Sequence, residues 1–415
     1  MVMLSTGISA ASQLGSLIVY ALNGSATLAG MPSAIFHLAM AATAYPAGRF
    51  MDRRGRRPGL VIGFLIGGLG AAVVMLSVSA GSFAGYVVSM LIYSLGAGVG
   101  MLSRGVVGDM YPLERRAGAV GFIVAGGLFG GLLGPALVAF GDRLAHAIGA
   151  NPLAVPWLFV FLAYGIAAAI LTRLRPDPRD ISARLHEYYP DAPDAGGGGV
   201  SGAPLGGPAS PSVAAIVASR PAQAAMISLA CAQATMVMLM ATTSLMLSLH
   251  GHGTGTISLV LMAHVLGMFA LAVPVGRLAD RVGRRQVMIG GALLSAASGL
   301  VFPLGVDSAP WAAASFFLVG LGWSLAFVPG AALLGDISGT ATRARVLGIN
   351  DLFTNLSATA AALLGGVLLA RGGEVTVGIL AAVLGSVPLL AIARAGRTLA
   401  PAVPVPAAVP ADGGS

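Results

Sequence analysis

The sequence predicts an all-α membrane protein of twelve transmembrane helices, arranged as two six-helix bundles related by pseudo-symmetry. Three observations lead there. Of 415 residues, 56% are hydrophobic and only 9% charged, against about 25% charged in an ordinary soluble domain. The charges sit in short clusters separated by uncharged runs, the longest being 1–48, 58–103 and 221–276. The order of runs and clusters then repeats in the second part of the chain.

A helical span needs about 20 apolar residues. The three longest runs each hold two spans, with polar breaks at Asn23-Gly24-Ser25, at Ser79 to Ser82 and at His250 to Thr256. Runs 117–141, 144–172, 286–306, 308–335, 352–370 and 375–393 hold one apiece, which brings the total to twelve. Barrel strands are excluded, because they would alternate over about 10 residues. The spans divide the chain into a first bundle (1–173), a Pro- and Gly-rich cytoplasmic linker (174–219), a second bundle (220–395) and a disordered cytoplasmic tail (396–415). Within the linker, 181–189 can form a short surface helix.

Every basic residue is Arg. With the segment 49–57 placed in the cytoplasm, every arginine except Arg143 and Arg371 falls on the cytoplasmic side. That bias satisfies the positive-inside rule with both termini cytoplasmic. The net charge of +8 therefore reports topology, and no nucleic-acid partner is expected, since the basic residues flank apolar spans. Arginine without lysine suggests a G+C-rich bacterial genome, and with it a bacterial inner membrane. Cys231 is the sole cysteine, so no intrachain disulfide can form. No cleavable signal peptide is expected; Met1 opens almost inside the first span, which leaves open whether it is the natural start.

The repeat is explicit. Residues 48–57 read GRFMDRRGRR and residues 276–285 read GRLADRVGRR; Gly108-Asp109 through Gly121 recurs at Gly335-Asp336 through Gly348. Two segments at nearly one offset, in matching loops, argue duplication. Gly48 to Arg57 resembles the signature that major facilitator superfamily proteins carry between helices 2 and 3, and the second copy resembles its counterpart between helices 8 and 9. The resemblance covers nearly the whole chain outside the linker and tail. It implies the major facilitator fold and secondary transport of a small molecule by alternating access, with no enzymatic activity and no cofactor, in a monomer within the lipid bilayer.

In that family the motif's Asp contacts the neighbouring half and a loop Arg, locking the cytoplasmic side shut. The resemblance assigns Asp52, Arg53 and Arg56 to a gate, with Asp280, Arg281 and Arg284 as the symmetric set; Gly48 is expected to let its helix approach a neighbour closely. Arg104 and Asp109, at the end of the fourth span, join the same network. The competing reading is plain topology, with Arg for orientation and Asp for solubility. In the fifth span Gly126, Gly130 and Gly134 share one face, a groove for close backbone contact. The following Pro135 completes a Gly-Pro pair that resembles the fifth-helix motif of drug–proton antiporters, although Ala-Leu-Val follows where that motif has further glycines. Generic helix packing is the alternative. The helix 4 arginine to which such antiporters assign proton coupling is Ile92 here, so either coupling uses another group or the protein is not a proton antiporter.

Asp351 is the carboxylate clearly inside a span, and intramembrane ionisable groups are functional candidates by default. A structural hydrogen bond to Asn350 or Asn355 is the alternative. His37 and His264 are the other proton-handling candidates, against the reading that each is a packed neutral ring. The fold implied by the resemblance lines its central cavity with helices 1, 4, 7 and 10. The candidates there are Gln13, Tyr93, Ser94, Gln233, Thr235, Trp323 and Phe327, with Met236 and Met240 on one helical face. Such a cavity suits a neutral or hydrophobic substrate. Efflux with proton antiport is the expectation; uptake or facilitated diffusion of a metabolite, or a sensor without turnover, are the alternatives. His250 and His252 lack partners to complete a metal site, Gly96 to Gly100 lies inside a span rather than after a strand, and no P-loop is present to support ATP-driven transport.

Overall fold

The computed structural model describes residues 1–103, 106–107, 110–111, 113–190, 212–338 and 342–396. The chain runs through α1 (Val2–Asn23), α2 (Met31–Arg54), α3 (Arg56–Ser79), α4 (Phe83–Met101), α5 (Leu113–Ile148) and α6 (Val155–Arg173). The second half holds α7 (Arg220–Leu249), α8 (Thr254–Val282, interrupted between Phe269 and Ala272), α9 (Arg284–Val301) and α10 (Ala309–Ile337). A final helical stretch, Arg343–Ala395, has 53 residues, about 80 Å at 1.5 Å per residue, where a bilayer core offers about 30 Å. It breaks at Gly373 (φ 66°, ψ −169°), giving α11 (343–372) and α12 (374–395). Eleven helical stretches among the described residues are long and apolar enough to cross a membrane; the last of them contains two spans, so the expected twelve are present.

Each bundle closes on its own core. In the first, Tyr86, Tyr93, Trp157 and Tyr164 are fully buried among Leu4, Leu14 and Ile18. In the second, Met238, Leu247, Phe302 and Phe316 play that part. Leu76, Ile170, Leu300 and Leu390 stand exposed, as side chains bathed in lipid tails can.

The middle segment is less featureless than its composition implies. Its described residues form three short helices, Pro178–Ala183, Leu185–Tyr188 and Val213–Ala218. Asp177 and Ser212 cap two of them with side-chain acceptors, and Ile216 is buried against the second bundle. Two caps and one apolar anchor order these short pieces locally, and the short helix expected over 181–189 falls in two, separated at Arg184. The tail beyond 396 lies outside the described residues.

The hydrogen bonds of Ser258 with Gln13 and Pro135, of Thr254 with Asp142 and of His37 with Asn355 join the two halves near the middle of the helices or toward the arginine-poor end. Backbones touch there: a Cβ on Gly30 would collide with the carbonyl of Ala362, and one on Gly366 would lie 2.6 Å from the Thr27 oxygen. Small residues let α2 and α11 meet at this depth.

Candidate functional site

The two signature loops turn alike. Gly55 (φ 104°) and Gly283 (φ 95°) each separate a pair of helices in a backbone region that residues with a Cβ rarely adopt. Beyond the turn they differ. Asp52 pairs with Arg56 one turn on, at 3.0 Å, with the carboxylate side chain 65% exposed. Asp280 and Arg281 are exposed, Arg53 likewise, and Arg284 pairs with Asp336 at the end of α10. Both ion pairs stay inside their own half. Gly48 departs from expectation: an added Cβ would meet no described atom within 4 Å, while Met51 three residues on is the one buried against Leu60 of α3. Arg104 and Asp109 lie outside the described residues.

A residue the sequence reading passed over organises the first loop. Asp177 accepts hydrogen bonds from the backbone N–H groups of Arg56 (3.1 Å) and Arg57 (3.0 Å), and from Arg179 (2.9 Å). One carboxylate thus caps α3 and its own short helix, where N-terminal N–H groups lack helical partners. Arg179 also donates to the Arg53 carbonyl, and Arg57 to that of Leu174. The Asp-Pro pair at 177–178 is a helix-start signal; its reach back to α3 has no local signature.

The seam between halves is built on α5. Gly130 and Gly134 lie against the α1 backbone, with a Cβ on Gly134 falling 2.6 Å from the Thr6 oxygen, and Gly126 faces Val2. Gly131 faces Val265 of α8 instead. Pro135 has no N–H, so the Gly131 carbonyl loses its helical donor; Ser9 Oγ of α1 supplies one at 2.9 Å. The Pro135 carbonyl accepts from Ser258 of α8 at 2.9 Å, and Ser258 in turn accepts from Gln13 Nε2 at 2.9 Å. Asp142 of α5 accepts from Thr254 at 2.9 Å, placing a carboxylate at the N-terminus of α8, where the helix dipole favours it.

Near mid-membrane, three of the expected cavity residues come together in the second half. Trp323 donates from Nε1 to Gln233 Oε1 at 2.7 Å and stacks on Phe327, with ring centroids 4.5 Å apart and planes within 10°. Phe269 of α8, absent from the sequence expectations, meets Trp323 edge-on at 6.4 Å. Phe327 is 40% exposed, so the platform has an open face. Met240 is partly buried beside the second core and Met236 is inside it. Thr235 is buried. Tyr93 and Ser94 turn into the first bundle: the Tyr93 hydroxyl accepts from that of Tyr164 at 3.1 Å, and Ser94 donates to its own helix at Met90. Gln13 is fully buried in the seam. The helical period leaves open which face of a span looks inward, and here it sets these side chains apart.

Two proton-handling candidates are related across the halves through Asn355. His37 Nδ1 of α2 contacts Asn355 Oδ1 of α11 at 3.0 Å, and that carbonyl oxygen accepts, so the ring donates. Asn355 donates to the Asp351 carbonyl at 2.8 Å, and Asn350 lies 3.4 Å from the Asp351 carboxylate. His264 sits apart, in the second core, with Nδ1 on the Phe316 carbonyl at 3.2 Å and its ring against that of Phe316.

Comparison with known proteins places this arrangement. The Major Facilitator Superfamily profile matches residues 1–188 and 224–411. The chain is 32% identical over 392 residues to the uncharacterized MFS-type transporter YdeG of Bacillus subtilis, covering 91% of this chain and 86% of that one. It is 27% identical over 375 residues to the riboflavin transporter RfnT of Brucella anthropi, covering 88% and 85%. Among solved structures it is similar to a D-xylose–proton symporter, with a TM-score of 0.71, 18% identity and 96% of each chain covered. The repeated loops, the paired six-helix bundles and these matches agree: the chain belongs to the major facilitator superfamily of membrane transporters.

Proposed function

We propose that the protein is a secondary active transporter of small neutral or hydrophobic compounds, working by alternating access in the bacterial inner membrane. The arginine-rich face and both termini lie in the cytoplasm, following the positive-inside bias. The observation that carries this reading is the seam of Gln13, Pro135, Ser258 and Thr254. It holds the halves together on the side away from the arginines, and the two ion pairs described at the arginine-rich end, Asp52–Arg56 and Arg284–Asp336, each lie within one half. That is the pattern of a carrier facing the cytoplasm, and rocking the two bundles about the middle would exchange the closed end.

The platform of Trp323, Phe327 and Phe269, anchored by Gln233, supplies aromatic faces and an amide but no charge, which favours a ring-bearing, uncharged substrate. The His37–Asn355 contact beside Asp351 couples α2 to α11, and a proton taken or released there would bear on a contact between the halves. Efflux by proton antiport is our first reading, supported by the Gly-Pro pair of α5. Uptake or facilitated diffusion of a small metabolite is the second, and the similarity to a riboflavin transporter favours a ring-bearing substrate under either.

Purified protein in liposomes, with an imposed pH gradient and a panel of dyes, drugs and flavins, tests both. Efflux predicts substrate movement against the proton gradient, abolished by a protonophore, and uptake predicts movement with it. Binding without flux under any gradient would overturn the transporter reading. Asp351→Asn is expected to remove at least about tenfold of the pH-driven flux while leaving substrate binding intact; unchanged flux and pH dependence would remove Asp351 from the coupling.

A further inference from the structure

We infer that the groove between α7 and α12 at the arginine-rich membrane edge is a binding site for an anionic glycerophospholipid. A cavity of about 170 Å³ opens there, lined by Arg220, Gln223 and Ile227 of α7 and by Val387, Leu390, Ala391 and Arg394 of α12. The lining residues follow the helical period on both sides, so each helix turns one continuous face to the groove.

The groove is graded along the membrane normal. Arg220 and Arg394 stand at helix ends, and Gln223 sits one turn in. Ile227 and Val387 lie seven residues deeper along their helices, about 10 Å at 1.5 Å per residue. Phospholipids carry the same gradient, with a phosphodiester at the interface and acyl chains below. Both guanidinium groups are exposed, and among the described residues neither has a carboxylate or other hydrogen-bond partner. Two exposed arginines with no counter-charge at a basic membrane face are what an anionic headgroup complements, and arginine can hold phosphate oxygens in a bidentate fork. A third feature adds to the charge. Ser219 caps α7 with its side chain toward the Ala222 N–H, and Pro221 occupies the first turn, so the positive end of a 30-residue helix sits beside the headgroup position.

The first half offers a comparison within the same molecule. There Arg173 ends α6 as Arg394 ends α12, and Arg57 of the adjoining loop is turned onto the Leu174 carbonyl. The site belongs to the second half, beside the linker helix whose Ile216 is buried against the same bundle. A bound lipid would therefore brace the point where the linker enters α7.

The test uses full-length protein in detergent, titrated separately with phosphatidylglycerol, phosphatidylcholine and inorganic phosphate, with bound lipid read by native mass spectrometry and Tm read in parallel. Phosphatidylglycerol is expected to bind and to raise Tm, with phosphatidylcholine and phosphate having little effect. Removing one arginine (R220Q or R394Q) should weaken phosphatidylglycerol about fivefold, and the double variant about thirtyfold. R173Q should leave it unchanged. Should the double variant fail to fold, Ala391→Trp fills the groove while keeping both charges, and it should lose the lipid equally. The proposal is overturned if phosphatidylcholine binds as tightly as phosphatidylglycerol, if R173Q weakens binding as much as R394Q, or if Ala391→Trp binds normally. A full Tm shift from phosphate alone would likewise replace the lipid with a free-anion site.

Discussion

The two signature loops share a ten-residue pattern and a glycine turn, yet they are anchored in opposite directions. The first is held from outside its bundle's spans: Asp177, in the segment joining the halves, caps α3 through two backbone N–H groups. The second is held from within, through Arg284 on Asp336 of α10. The helices leading into the loops differ as well. α2 runs unbroken through Pro46, whereas α8 parts between Phe269 and Ala272, just before Pro274. Duplication preserved the turn, and the surroundings came to differ. The first loop is positioned to respond to the linker, and the second to movements within its own bundle.

The largest effect should come from the turn itself. A side chain at Gly55 or Gly283 is expected to cost about 1–3 kcal/mol of strain. Gly55→Val should be the worse of the two, because its Cβ would lie 2.8 Å from the Asp177 carboxylate, whereas the neighbour of Gly283 is the movable end of Gln286. Thermal unfolding in detergent ranks them; equal losses would mean that the Asp177 contact adds nothing. Next comes Asp177→Ala, expected to destabilise by about 1 kcal/mol as a lost helix cap does, with Asp177→Asn recovering part of that. Protease sensitivity after residue 173 should rise in the Ala variant, and an unchanged digestion pattern would cut the proposed link between linker and loop.

Smaller still is the second loop's ion pair. Arg284 and Asp336 are partly exposed, and such pairs contribute about 0–1 kcal/mol. A double-mutant cycle of Arg284→Gln with Asp336→Asn measures it, and coupling well above that range would make the two anchors equivalent. The smallest effect on stability is expected for Asp52→Asn, whose i,i+4 partner Arg56 is worth about 0.3–0.5 kcal/mol. Its consequence should appear instead as a shifted balance between inward- and outward-facing forms, read by spin-label distances across the cytoplasmic ends.

The spans, their number and the repeat were legible in the sequence because each rests on local quantities: run length, charge placement and a recurring decapeptide. The helix pair at the end of the chain is a case in point, where Arg371 and Glu374 mark the same interruption that Gly373 makes in the backbone. The site was harder to read. Gln233, Trp323 and Phe327 touch one another, but Tyr93, Ser94 and Met236, chosen by the same reasoning, look into the bundles, since which side of a helix faces the middle is decided by neighbours far away in sequence. Phe269 and Asp177 went unseen for a related reason. One depends on where α8 breaks, and the other on a capping contact about 120 residues distant.

The proline of α5 has a mechanical consequence. Bending a helix in hydrocarbon ordinarily strips a carbonyl of its donor with no water at hand to replace it. At Gly131 the donor is already supplied by Ser9 of a neighbouring helix, so α5 can flex at that level with its polar groups still satisfied. A bend at that level would therefore be opposed by contacts between helices rather than by the backbone of α5 itself.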